Sequence, residues 1–131
     1  MFDGRERSEL ERSLAAIKRD GVQGIVFGTT AVLFPHRDQI IQFAMREKLP
    51  VVYGRREYVD AGGLLSYSAD IRLSYIRGAD YVYRILKGAK PADLPVEQSR
   101  NVRMVLNLKT ARALGIAIPA SVRLRADEVI E

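Results

Sequence analysis

The chain has 131 residues, enough for one domain with a modest core. Hydrophobic residues make up 47% and charged ones 28%, which excludes a disordered chain. A formal charge of +5 invites a nucleic-acid reading. The basic residues are scattered, however, and no recognition motif or aromatic stripe accompanies them, so a solvated basic surface is expected and no nucleic-acid partner.

No apolar run approaches the roughly 20 residues of a membrane span, so no membrane insertion is expected. There is no cysteine, which removes disulfides and thiolate chemistry together. The opening MFDGRERSELERS has no apolar core of a secretory leader, and as it stands predicts a cytoplasmic chain.

Along the chain, Ser8-Glu9-Leu10-Glu11 reads as a capping box. It leads a helix with Leu10, Leu14 and Ile17 on one face and Gly21 at its end. Gly24 to Gly28 is a short apolar run with the pattern of a buried strand. After a connection, Pro35 stands near the start of a helix that turns Ile40, Ile41, Phe43 and Ala44 inward and runs to about Lys48. Val51 to Tyr53 is the next strand. Strand, helix, strand at this spacing is a βαβ unit and predicts an α/β fold built on a parallel sheet flanked by helices.

A third strand is expected from Leu64 to Tyr67. Ile71 to Lys87 is the longest helical pattern, with Ile71, Tyr75, Ala79, Val82, Ile85 and Leu86 as its apolar stripe and Gly88 just past its end. The prolines of GAKPADLP argue for an irregular connector. Val102 to Leu106 reads as a half-buried or edge strand. Thr110 to Leu114 reads as a short helix stopped by Gly115, and Pro119 is expected to end the segment beyond it.

Open parallel sheets bind ligands beyond the carboxyl ends of their strands, and three loops qualify. Gly28, Thr29 and Thr30 offer hydroxyls and backbone N–H groups to an anion, or the threonines satisfy only their own loop. Tyr53 offers a flat face and a hydroxyl, and Arg55 can pair with a carboxylate, against the alternative of a core-edge tyrosine and surface arginines at Arg55 and Arg56. Ser66, Tyr67 and Asp70 form the third group. Tyr67 is the best single candidate for a ligand contact, whereas Asp70 reads more simply as a helix N-cap. Glu57/Asp60 and Asp127/Glu128 read as solvated charges. His36 is the only histidine and has no second His or Cys to share a metal with, so no metal site is expected, and no phosphate loop, cofactor motif or catalytic constellation is present. The chain reads as non-enzymatic and without a cofactor.

YGRREYVDAGGLLSYSAD (Tyr53 to Asp70), ILKGAKPADLPVEQ from Ile85, MVLNLKTARALGIAIP from Met104 and the closing RADEVIE occur in this order. Together they resemble the C-terminal part of the substrate-binding proteins of ABC transporters. The resemblance implies the type I periplasmic-binding-protein fold, in which two α/β lobes close on a small solute. Relatives are more than twice this long and normally exported. It implies that about 22–60 and 96–131 form the C-terminal lobe, while the strand and helix of about 64–88 belong to the N-terminal one. Relatives typically carry glycine where Ser68 stands, which predicts strain at Ser68 if that position needs a positive φ.

The function implied is capture of a small amphiphilic solute, such as an amino acid or aromatic acid, for delivery to an ABC permease. The alternatives are a cytoplasmic ligand-sensing or interaction module, or a truncated fragment without function. With most of one lobe missing, the stripe of the Ile71–Lys87 helix needs cover, and a homodimer through that helix is expected.

Overall fold

The structure of the protein, a computed structural model, describes residues 4–28, 30–97 and 101–131. Five strands form one sheet in the order of the chain: β1 (Ile25–Phe27), β2 (Val51–Tyr53), β3 (Leu65–Ala69), β4 (Val102–Asn107) and β5 (Glu128–Ile130). β1, β2 and β3 run parallel, as do β4 and β5, but β3 and β4 are antiparallel. The sheet is therefore mixed rather than wholly parallel. The cause is the excursion between β3 and β4: the chain leaves at Asp70 and re-enters at Asn101, whose carbonyl accepts from Asp70 N–H at 3.0 Å. Two passages bonded side by side in this way must run in opposite directions.

Helix α1 (Gly4–Arg19) and helix α2 (Arg37–Arg46) cover the β1–β2 end of the sheet. Leu10 and Leu14 from α1 meet Ile40, Ile41, Phe43 and Ala44 from α2 over Val51 and Tyr53. Each such side chain removed from water contributes about 1.5–3 kcal/mol, so this cluster is the main stabilising unit. α1 begins four residues before the expected capping box. Ser8 lies inside the helix, where Arg12 Nε donates to its carbonyl at 3.2 Å.

β1 is an edge strand, not a buried one: Ile25 and Phe27 pack on the core while Val26 points the other way and is 85% exposed. β4, expected to be a half-buried or edge strand, is half-buried and not at an edge: it is paired on both sides, with Val105, Leu106 and Asn107 buried. Its last residue turns directly into helix α5 (Leu108–Leu114), because Asn107 Oδ1 caps the helix by accepting from Thr110 N–H at 3.1 Å. Gly115 ends α5 at φ 72°. Pro119 does not stop structure but starts it, standing as the N-cap of the short helix α6 (Ala120–Arg123).

The β2–β3 connection contains helix α3 (Arg56–Asp60), which buries Tyr58 and Val59. Its apolar signal is too short to be read in the sequence. Gly63 stands after it because nothing larger fits: a Cβ there would lie 2.6 Å from the Tyr53 ring and 2.8 Å from the Tyr58 carbonyl.

Helix α4 (Ile71–Leu86) stands apart and buries none of its residues. Asp70 caps its start, accepting from Arg72 N–H at 3.0 Å, and Gly88 turns away at φ 103°. The connector after it includes one 3-10 turn, Pro91–Asp93, and folds back along the helix. Tyr81 OH donates to the Pro95 carbonyl at 2.7 Å, and Arg77 pairs with Glu97.

Candidate functional site

β3 outruns β2. Their pairing ends at Tyr53 opposite Ser66, so Tyr67, Ser68 and Ala69 bond only to Met104, Arg103 and Val102 of β4. The step leaves an open cleft of about 870 Å³ at the carboxyl end of β2. Its walls are the turn from Gly54 to Glu57, the outer half of β3, the first turn of α4, and Arg103 and Val105 of β4. This is where a parallel sheet with helices on it is expected to receive a ligand.

Arg55 is held on two sides. Its guanidinium carbon lies 4.2 Å from the centroid of the Phe34 ring, and its Nη2 and Nε reach the Glu57 carboxylate at 2.7 and 3.4 Å. The hydrogen bond to Glu57 raises the Arg55 pKa further, and the same bond holds the Glu57 carboxyl below its ordinary value. Both groups are therefore charged at neutral pH and the cation is fixed in place. Arg56 is equally engaged, reaching the Glu128 carboxylate through two bonds at 2.6 and 2.7 Å and Asp60 at 3.3 Å. The expectation that these acids are simply solvated is corrected: three of the four pair with Arg55 or Arg56, and Asp127 Oδ2 accepts from Met104 N–H at 2.7 Å.

Of the residues singled out in the sequence, Arg55, Ser66, Tyr67 and Asp70 come together in this cleft. Tyr67 is 57% exposed and lines the cleft. Ser66 is 1% exposed, and its hydroxyl has no hydrogen-bond partner among the described residues. Asp70 lines the cleft and is also the α4 cap. Ser68 is not strained: it lies in regular strand opposite Arg103, and Lys48 is the sole described non-glycine residue with a positive φ.

Tyr53 does not reach the cleft. It is 1% exposed and stacks on Tyr58 with ring centroids 4.8 Å apart, and burial pushes its phenol pKa well up. Gly28 and Thr30 also lie outside the cleft walls. Thr30 Oγ1 accepts from Leu33 N–H at 3.2 Å, so it satisfies its own loop. Thr29 lies outside the described residues. Glu57, read in the sequence only as a solvated charge, also lines the cleft, as do Arg72 and Arg103, which nothing local marks. Among the described residues no group of three acids or histidines is placed to hold a metal. No described helix is long and apolar enough to cross a membrane.

A mixed α/β sheet with an open cleft at its strand ends is the architecture of periplasmic-binding-protein-like structures. The chain belongs to the ABC transporter substrate binding protein family, whose model matches residues 5–130. Among solved structures it is similar to a conserved domain protein from Vibrio cholerae, with 28% identity over 93% of this chain and a TM-score of 0.83. It is similar in the same degree to an ABC domain from Streptococcus pneumoniae in complex with L-Trp, at 28% identity over 94% of the chain and a TM-score of 0.84. A ligand-free, open substrate binding protein with adhesive properties from Clostridium difficile shares the fold, at 18% identity over 94% of the chain and a TM-score of 0.62. The chain spans 41% of the length of each of these structures. No curated protein matches it.

Proposed function

We propose that this chain forms one wall of the solute-binding cleft of an ABC import system, capturing a small amphiphilic solute for delivery to a permease. The observation that carries the reading is the open cleft lined by both a fixed cation, Arg55, and an exposed aromatic residue, Tyr67. A solute with a carboxylate and a flat apolar part, such as an amino acid or aromatic acid, suits that combination. The L-Trp in the Streptococcus relative supports the same class. Arg55, Tyr67, Ser66 and Asp70 are the proposed contacts. The action is capture and release, with no bond made or broken, and it takes place outside the cytoplasm as is usual for the family.

In this reading about 22–60 and 96–131 form one lobe, and the strand and helix of 64–88 lead from it toward a second wall. The uncovered face of α4 supports one further element, a homodimer through the Ile71–Lys87 helix. One wall supplies only part of the contacts, so binding by this chain is expected to be weak.

Amide chemical-shift mapping by NMR tests the reading. L-tryptophan and a panel of amino acids and aromatic carboxylates at millimolar concentration should perturb Gly54–Glu57 and Ser66–Asp70. Arg55→Ala should weaken the best binder about tenfold, the scale of one charge-assisted hydrogen bond. Shifts confined to other surfaces, or none with any compound, would overturn it.

A further inference from the structure

Four arginines line the cleft, Arg55, Arg56, Arg72 and Arg103, against two carboxylates, Glu57 and Asp70. On its walls alone the cleft is therefore cationic. The balance is restored from behind the wall, by two acids that do not line it. Glu128 accepts from both terminal nitrogens of Arg56 at 2.6 and 2.7 Å and lies 3.9 Å from Arg103 Nη2, while Asp60 accepts from Arg56 Nε at 3.3 Å. Glu128 thus touches two of the four cleft cations at once.

The sheet puts it there. Tyr53, Ser66, Val105 and Glu128 stand side by side from β2 to β5, so their side chains share one face. Arg103, two residues before Val105, is on the same face and falls diagonal to Glu128. α3 lies over this face, with Tyr58 stacked on Tyr53, and so carries Arg56 to the same carboxylate. The bonds from Arg56 hold the Glu128 carboxyl below its ordinary value, and it is charged at neutral pH.

We infer that Glu128 is a specificity-determining residue of the cleft, cancelling charge behind its wall so that a net-neutral α-amino acid is preferred over an anion of the same shape. The inference rests on the reading of the cleft as a solute site. With Arg55 matched by Glu57, and Arg56 and Arg103 answered by Glu128, a lone carboxylate meets little uncompensated charge. Asp70 and Arg72 are the lining acid and base that pair with no opposite side chain among the described residues. One Asp70 oxygen accepts from Arg72 N–H, which leaves the other for an ammonium, and Arg72 supplies a cation beside it. Two opposite charges side by side suit the ammonium and carboxylate of an amino acid.

The test compares L-tryptophan with indole-3-propionate, which has the same ring and a carboxylate but no ammonium. Their affinities are measured by NMR titration of the parent chain and of Glu128→Gln, Glu128→Asp and Glu9→Gln. The parent should hold L-tryptophan at least about fivefold more tightly. Glu128→Gln should tighten indole-3-propionate by about fivefold and move L-tryptophan by less than about twofold, the scale of one unit charge just behind an open, solvated wall. That gain should fade as salt rises from about 0.05 to about 0.5 M. Glu128→Asp keeps the charge and should keep the parent's ratio. So should Glu9→Gln, which removes the same charge from α1, outside the cleft walls. An unchanged ratio in Glu128→Gln, or an equal loss of both compounds, would overturn the inference and leave the solute site standing. A parent that prefers the anion would do the same. Failure of both compounds to bind at the cleft in any chain would overturn the solute site and the inference together.

Discussion

Ser66→Ala removes a buried hydroxyl that has no partner among the described residues and sits in register between Tyr53 and Val105. Leaving such a group unsatisfied costs about 1–3 kcal/mol. Against this, the missing oxygen leaves a void on the order of 15 Å³, worth about 0.4 kcal/mol at the usual cost of cavity volume. The backbone remains in strand, which alanine tolerates. The variant is therefore expected to be more stable by about 1 kcal/mol, raising the melting temperature by about 3–5 °C for a chain of this size. Thermal and urea unfolding followed by circular dichroism would read both, with the urea m-value unchanged. If the hydroxyl serves the solute, the same variant binds L-tryptophan about fivefold more weakly, since one neutral hydrogen bond is lost. Greater stability with weaker binding is the combined signature of a polar group kept for a ligand. A variant less stable than the parent would refute the reasoning, because it would mean that the hydroxyl is satisfied, for instance by a buried water.

Gly63→Ala should destabilise by about 2–4 kcal/mol, because its methyl meets the Tyr53 ring and the Tyr58 carbonyl and disturbs the 2.7 Å bond from Gly63 N–H to that carbonyl. An unchanged urea midpoint would contradict the packing described around Tyr53. The Glu57 carboxyl is held below its ordinary value by Arg55, so in acid the unfolded chain binds a proton that the folded chain resists. Its stabilisation is present at neutral pH and declines as the pH falls through about 4.5 and below. The pair is partly exposed, so the effect is under about 1 kcal/mol, and Glu57→Gln should flatten that part of the pH–stability curve. An identical acid limb in the variant would show that the pair contributes nothing.

Much of the scaffold is written in local patterns. The α2 residues Ile40, Ile41, Phe43 and Ala44, the β2 strand, the Asp70 cap and the Gly115 stop each arise from periodicity or from a residue's own backbone preference. Arg55 was legible as a candidate because it stands just past β2 of a recognisable βαβ unit, and Tyr67 because it falls at the end of the next expected strand. Where local patterns misled, the cause was distant in sequence. Tyr53 is a core residue because α3, too short to announce itself, brings Tyr58 flat against it. Glu128 looks solvated until the sheet places it within reach of Arg56, 72 residues away.

The sequence by itself determined the family, the helices and strands with strong periodicity, and the apolar stripe of α4, since all of these depend on neighbours a few positions apart. The order and direction of the strands, the cleft left where β3 outruns β2, the ion pairs that fix Arg55 and Arg56, and the uncovered state of α4 were decided only in three dimensions. They depend on how segments far apart in the chain are packed and hydrogen-bonded, and no local preference encodes that.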